Sequence, residues 1–578
     1  MKIEEAKQAL LSMLVHPKDQ ELAEQVRGMD TASEVTSLIA EYFTPLHAHY
    51  GTDLLVFVRN SFSPALWDTV GILINPTKIP SLSHEDLYVI ADGTVETIQD
   101  INKHVFYFGD VKLKIHAGYA YGLYTPYPVT ADQTAYVYAK GNTSVIAKDK
   151  SLVELTDYAH AKVKDQVSVE ARGHSFVESR GGHPEIEAYV QSRFLVSAGS
   201  ADIEMYESAR GVIMNDRDNQ PHFDIVFNGH GLLYVAPGLD QSCDIKYNWQ
   251  PDFDKQYPTN ADRVLWGSNM SIDPEEMRDI ILPHWGDPSW HIKEPLSQPM
   301  DLDVLKRDIE KVTPAYFLEE MKAWLSEDQD EKAVCKTICI LFPITRFVNL
   351  DGDFLRSHFT SETLLENNIV VDYNENMRIL GTRNHPYYIY GDDLIDTDFC
   401  NGYIYACENT LVVGKDVSNV TVDERAHAIV YGQSSVLATE NSTVVALDET
   451  QVQAHFSSIA YLLDHSQGKV NNHVQVKAYD DSKVEATGTS RATLFQNSSI
   501  QADDQCQVSI FGHNKVVAKG EVQVAYPSDG TDYKANIEVL SDKVTLTELP
   551  RHEEIPAHHV ERHSDQANKT ATTRGIKR

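Results

Sequence analysis

The chain has 578 residues and carries 50 Lys+Arg against 85 Asp+Glu, a formal net charge of −35. That acid excess excludes nucleic acid as a partner, because phosphate binding needs a basic face, and it argues against docking on anionic lipid. Apolar residues make up 42% of the chain, enough for large cores, and no apolar run approaches the roughly 18 residues of a membrane span.

The first residues, Met1-Lys2-Ile3-Glu4-Glu5, are acidic where a secretory signal would be basic. The expected location is therefore cytoplasmic, or outside the cell by a route other than general secretion. Ala6, Leu10, Leu11, Leu14 and Val15 recur at helical spacing, and Thr31-Ala-Ser-Glu34 is a capping box before Val35, Leu38, Ile39 and Tyr42. Residues 1–45 thus read as helical. Residues 50–130 read as mixed, with strand-like runs at 54–58, 69–74 and 104–108. An N-terminal helical and mixed α/β region is assigned to residues 1–124.

From Gln133 to Arg180 the chain falls into octads such as Gly141-Asn-Thr-Ser-Val-Ile-Ala-Lys148, with Val137, Val145, Val153, Ala161, Val169 and Val177 at the fifth position. After a slip of two residues Leu195, Ile203 and Gly211 continue the position, and the pattern stops near Met214. A first octad β-solenoid is assigned to 125–214. Its eighth position carries Lys140, Lys148, Lys164, Arg172 and Arg180 near Glu154, Glu170 and Glu178, a stripe for an anionic polymer or a laddered surface salt network.

Residues 215–399 form a Trp-rich irregular segment, holding Trp249, Trp266, Trp285 and Trp290, followed by a helical and mixed region. Helices are expected over 302–312, from Thr313-Pro314 to about 325, and over 331–341. From Cys400 to Pro527 sixteen ungapped octads follow, among them Glu440-Asn-Ser-Thr-Val-Val-Ala-Leu447. The fifth position is Val, Ile or Ala in every block but one, where it is Gly468; the seventh is Ala in eight blocks and apolar or Gly in the rest, the third is Ser or Thr in ten, and the first Asp, Asn or Gly in ten. Each block reads as a turn, then a strand whose third, fifth and seventh residues share one face. Such units bury a face only by stacking.

The eighth position alternates. One series runs Lys415, Tyr431, Leu447, Leu463, Tyr479, Phe495, Phe511, apolar after its first member; the interleaved, largely polar one includes Thr439, His455 and Asn471. The coil is therefore sixteen residues with two strands, and Thr439 is expected to face water. A second octad β-solenoid is assigned to 400–528, a terminal strand or cap to 529–549, and a disordered, His-rich tail to 550–578.

The turn-x-Ser/Thr-x-Val-x-Ala-x unit resembles that of octapeptide-repeat parallel β-solenoid proteins, and more distantly the octapeptide β-helices of phage tail spikes and injection-needle tips. The resemblance implies shape: a mainly β fold with α/β parts, in which two parallel β-solenoid arrays of about sixteen residues per coil join helical and mixed segments.

Candidate binding residues are the aromatic column Tyr431, Tyr479, Phe495 and Phe511, which serves either as a platform for sugar rings or a partner protein, or as corner filling or a face covered by the preceding helical segment, and Trp285 and Trp290 in the rigid loop 283–288 and just after it. Acid groups at Asp351 and Asp353, and at Asp392, Asp393, Asp396 and Asp398, match no EF-hand spacing and read as solvated loops. Cys335 and Cys339 lie one helical turn apart, as buried thiols do. No nucleophile setting, phosphate loop or zinc signature occurs, so no catalytic residue, metal or cofactor is assigned. The expected function is a non-catalytic structural or binding solenoid (scaffold, adhesin, or part of a phage or injection apparatus) whose partner is an extended glycan or a protein. The alternatives are a polysaccharide depolymerase and an acidic decoy or inhibitor.

Overall fold

The computed structural model describes the chain except residues 15–18, 77–78, 80–83, 98–103, 215–220, 230, 249–262, 271, 288, 294, 314, 316, 326–329, 342–351, 372–386, 397–402, 415–417, 529–535 and 550–578. The tail and its histidines, Trp249, Asp351 and Asp398 lie outside the described residues. The chain divides into two compact units. The first comprises Met1–Gly231, Gln241–Trp249 and His284–His291, and the second Leu232–Asp240, Gln250–Pro283 and Ile292–Arg578. Among the described residues no helix is long and apolar enough to cross a membrane.

The first unit opens with five helices, α1 (Ile3–Met13), α2 (Gln20–Gly28), α3 (Ala32–Glu41), α4 (Phe43–Ser61) and α5 (Pro64–Asp68). The capping box is formed: the Glu34 N–H donates to Thr31 Oγ1 at 3.3 Å, and the Thr31 N–H donates to a Glu34 carboxylate oxygen at 2.8 Å. The run at 54–58 is helix, not strand. Leu54, Leu55 and Val58 are buried on one face of α4 while Val56 is 47% exposed, a spacing of one helical turn. These helices pack on Ile72, Ile90 and Phe108 of the first strands and close that end of the sheet stack.

The strands that follow are parallel, each paired with the strand one coil on. The stack already begins at Ile72–Ile74, whose Ile72 pairs with Tyr88, and it runs on through Ala201 paired with Phe223 and Phe223 paired with Cys243. The solenoid is therefore longer than the 125–214 assigned from sequence, and part of the supposedly irregular segment belongs to it. The octad count loses these coils because some turns are longer. Asp86 pairs with His104 and Ala201 with Phe223, so the coil exceeds sixteen residues although pairing persists.

The second unit contains α6 (Pro274–Ile281), α7 (Leu302–Val312), α8 (Leu318–Leu325), α9 (Glu331–Leu341), α10 (Gly352–His358) and α11 (Ser361–Glu366). Thr313 closes α7 rather than opening the next helix, because its hydroxyl donates to the Ile309 carbonyl at 2.7 Å. The α7–α11 segment packs on Ile369, Tyr388 and Tyr390 at the start of the second solenoid; Cys335 is buried there. Arg356 of α10, 1% exposed, forks onto Glu408 with contacts of 3.0 and 2.5 Å and ties this helical cap to the first coils.

In the second solenoid successive strands alternate between two parallel sheets, of 11 and 10 strands among the described residues. Every register steps by sixteen residues through the octads: Val420 pairs with Val436, and Val444 with Ala460. Strands Ile537–Val539 and Thr545–Leu549 continue both sheets, so the segment 529–549 assigned as a terminal strand or cap carries two strands of a further coil. The fifth and seventh positions fill a thin tube of Val and Ala. The third-position hydroxyls are buried beside it. Ser442, Ser482 and Ser498 donate to the carbonyl three residues earlier at 2.6–2.9 Å, which satisfies polar atoms that a narrow core would otherwise strand.

First-position residues sit in the left-handed region, with Asp448, Asp464 and Asp480 at φ 55°, 54° and 53°, which explains the Asp/Asn/Gly preference. Their carboxylates accept backbone N–H groups from the coil before: Asp448 from Gly432 at 3.0 Å, Asp464 from Asp448 at 3.3 Å. Part of the acid excess is thus structural.

Two expectations fail. Thr439 is 1% exposed, and its hydroxyl donates to an Asp423 carboxylate oxygen at 2.7 Å, because the corner folds that residue inward. Asp392 and Asp393 are buried at the bend between Tyr387–Gly391 and Leu394–Asp396, not solvated.

Three outcomes follow from this packing. The single break in the fifth position is compensatory: a Cβ on Gly468 would lie 2.5 Å from Leu462 Cδ1, where the seventh position is Leu rather than Ala. Gly468→Val is expected to cost about 1–3 kcal/mol, and Leu462→Ala about 2–5, while the double variant is milder than their sum by at least about 0.5 kcal/mol in denaturant melts. Val444→Asp, which buries a charge without a partner, is expected to cost several kcal/mol. Thr439→Asp, beside Asp423, is expected to lower the melting temperature measurably too. Finally, burial raises the Glu424 carboxyl to about 7; the charges of Glu408, Asp423 and Glu440 act the same way, against the Glu408 N–H it accepts. The folded chain then holds a proton that the unfolded chain has released, so stability falls as pH rises from about 4.5 to about 7. Glu424→Gln should gain melting temperature over the parent progressively between pH 5 and 8; a constant difference would contradict the assignment.

Candidate binding groove

The aromatic column of the second solenoid is a column. Tyr479 stacks on Phe495 with ring centroids 4.7 Å apart, and Phe495 on Phe511 at 5.7 Å. It is not one exposed platform, however. Tyr479 is buried, and Tyr431, Phe495 and Phe511 are half-buried. Helix α6 covers its neighbourhood, since Glu276 bonds both Lys477 and the Tyr461 hydroxyl. Burial, with the charges of Glu276 and Asp273 adding, holds the Tyr461 and Tyr479 hydroxyls above the usual phenol range.

The first unit brings aromatic side chains together where the octads begin. Strands Val111–Tyr124 and Val129–Ala139 pair in parallel with a shift of register between Ile115 and Ala117, after which Tyr119 lies opposite Tyr136. The coil spacing of about 4.8 Å is close to a ring-stacking distance, so outward rings one coil apart stack. Tyr121 lies between His104 at 4.3 Å and Tyr138 at 5.2 Å, both near-parallel to it. His104 is held by Asp86 at 3.1 Å.

Beside this stack lies a groove of about 1030 Å³. Phe106, Tyr121 and Tyr138 form an aromatic wall, and Tyr127 in the Thr125–Pro128 turn forms another, with Lys112 over its ring at 5.2 Å. Polar groups enter from the next turn, Lys140, Asn142 and Ser144, and from Asp157, which pairs with Lys140 at 3.9 Å. Asp157 is the single carboxylate among the described lining residues.

The Trp loop reaches the rim of the same groove through Ser289. Ser289 donates both its hydroxyl, at 2.6 Å, and its N–H, at 2.9 Å, to Asp287, which keeps that carboxyl below its ordinary range. Trp290 stacks on His284 at 4.7 Å, meets Tyr158 edge-on at 5.9 Å, and lies under the Arg193 guanidinium at 5.2 Å. Its role in this geometry is to hold the rim. Trp285 is half-buried and does not line the groove. The tyrosines went unnoticed in the sequence, where the signal is Tyr-x-Tyr twice, Tyr119-Ala-Tyr121 and Tyr136-Val-Tyr138, at equivalent places in consecutive coils.

The basic stripe of the first array divides. Lys140 and Arg172 follow strands of one column, while Lys148, Lys164 and Arg180 lie at the ends of the other, because alternate octads face opposite ways. Several are ion-paired: Arg172 with Glu170, Arg180 with Glu178, and Lys148 with Asp132 at 3.4 Å. Comparison with protein-family models, with curated proteins and with solved structures found no match.

Proposed function

We propose that this chain is a non-catalytic binding protein, a solenoid that captures an extended glycan, in keeping with an adhesive or scaffolding role. The observation that carries this reading is the groove walled by Tyr121, Tyr138, Phe106 and Tyr127, with Lys140, Asn142 and Asp157 at its edge. Ring faces take the apolar faces of sugars, and a few placed polar groups take hydroxyls. Acid/base cleavage of a glycosidic bond uses two carboxylates, whereas this groove presents Asp157 alone among its described lining residues, so binding fits it better than hydrolysis.

The test is a glycan array followed by titration calorimetry with the best ligand. Tyr121→Ala and Tyr138→Ala are each expected to weaken binding by roughly tenfold or more, with melting temperatures near the parent's. Unchanged affinity in both variants would contradict the reading. Time-dependent release of new reducing ends would replace it with the depolymerase.

A further inference from the structure

The outer face of the 10-stranded sheet in the second unit changes character along its length. The fourth-position residues stack in register: His427, Thr443 and Ile459, then Gln475, Arg491, Gln507 and Gln523. The sixth-position residues of the early coils, Ile429, Val445 and Tyr461, are buried. From Gln475 onward the fourth-position side chains are all exposed. The apolar-to-polar switch therefore marks where the face is covered and where it is left open.

On the open part lies a trough of about 870 Å³ between this column and the turn residues that precede each strand. It extends from Ser457 to Lys543 and Thr545, five coil spacings or about 24 Å. Its turn side is held in place: His473 and Thr489 share a hydrogen bond of 2.7 Å, and Glu521 accepts from Gln505 at 3.2 Å and from Lys543 at 3.0 Å. Among the described residues Gln475, Gln507 and Gln523 have no side-chain partner, and Arg491 has no acidic one. Three free amides and one free guanidinium thus point out of one trough at one-coil intervals.

We propose that this trough is a second binding track, taking an acid-bearing polysaccharide such as a uronate polymer. Nucleic acid is disfavoured by the net charge of −35. A peptide strand needs a free sheet edge or apolar pockets, whereas the strands carrying Gln475, Arg491, Gln507 and Gln523 are paired on both sides and the lining is polar. Sugar hydroxyls exchange hydrogen bonds with amides, and a carboxylate matches the guanidinium fork of Arg491. This track is separate from the aromatic groove and stands without it.

The probes are oligogalacturonate and its fully methyl-esterified counterpart, titrated against the full chain. The parent is expected to bind both and to prefer the acid form. Arg491→Ala should weaken the acid form roughly tenfold and leave the ester unchanged. Gln475→Ala combined with Gln507→Ala should weaken both, and the Tyr121→Ala/Tyr138→Ala variant should bind both as the parent does. The proposal is overturned if neither probe binds, if the Arg491 and glutamine variants bind like the parent, or if the tyrosine variant loses binding. Gln475, Arg491 and Gln507 are exposed and Tyr121 and Tyr138 half-buried, and parental melting temperatures confirm folding of each variant.

Discussion

The structure depends on one constraint: each short strand must land in parallel register on the strand one coil back, so that it buries its inward side chains against its predecessor, and through the octads of the second solenoid that step is a constant sixteen residues. In the second solenoid the tube between the two sheets is so narrow that Val and Ala alternate along it and Ser or Thr closes it. No single coil could bury enough to stand alone, so stability accrues through neighbours. The same register sets every outward feature, because a fixed step turns one residue type into a column.

Corners matter as much as the core. Left-handed first positions let the chain bend, and acids at those positions cap N–H groups of adjacent coils. The strongly acidic composition, which from sequence alone speaks only of excluded partners, is in part the material of the turns. The helical caps protect one end of each stack: α1–α5 cover Ile72, Ile90 and Phe108, and α7–α11 cover Ile369 and Tyr388. An uncovered strand end would invite pairing with other chains.

Periodicity made the octads of the second solenoid legible, down to two strands per coil, because they run without insertion; the strands that continue its sheets before 400 and after 528 lie outside the octad pattern. The first was legible only where its turns are short. Once a coil lengthens, as between Ala201 and Phe223, the octad count fails although the pairing does not. The run at 54–58 misled because apolar residues that are consecutive in a strand and those on one helix face look alike over five residues. The aromatic column was visible and a helical cover was one reading of it, but the covering helix, α6, lies in the segment read as irregular, 201 residues before Lys477 at Glu276. The aromatic groove was missed because its rings come from the first octad, which holds Tyr138, and from the strands and turn before it, and assemble only through register. Trp285 and Trp290 stood out by type, and Trp290 does reach that neighbourhood, as a support for the rim.

The most direct test of the account is a register deletion. A variant lacking residues 480–495 removes one strand from each sheet and leaves every later column on its own face. A variant lacking only 480–487 shifts all later strands to the opposite sheet. Circular dichroism melts of the two are predicted to show a single cooperative transition near the parent's for the sixteen-residue deletion, and an early or broadened one for the eight-residue deletion. Equal behaviour of the two variants would contradict the sixteen-residue coil.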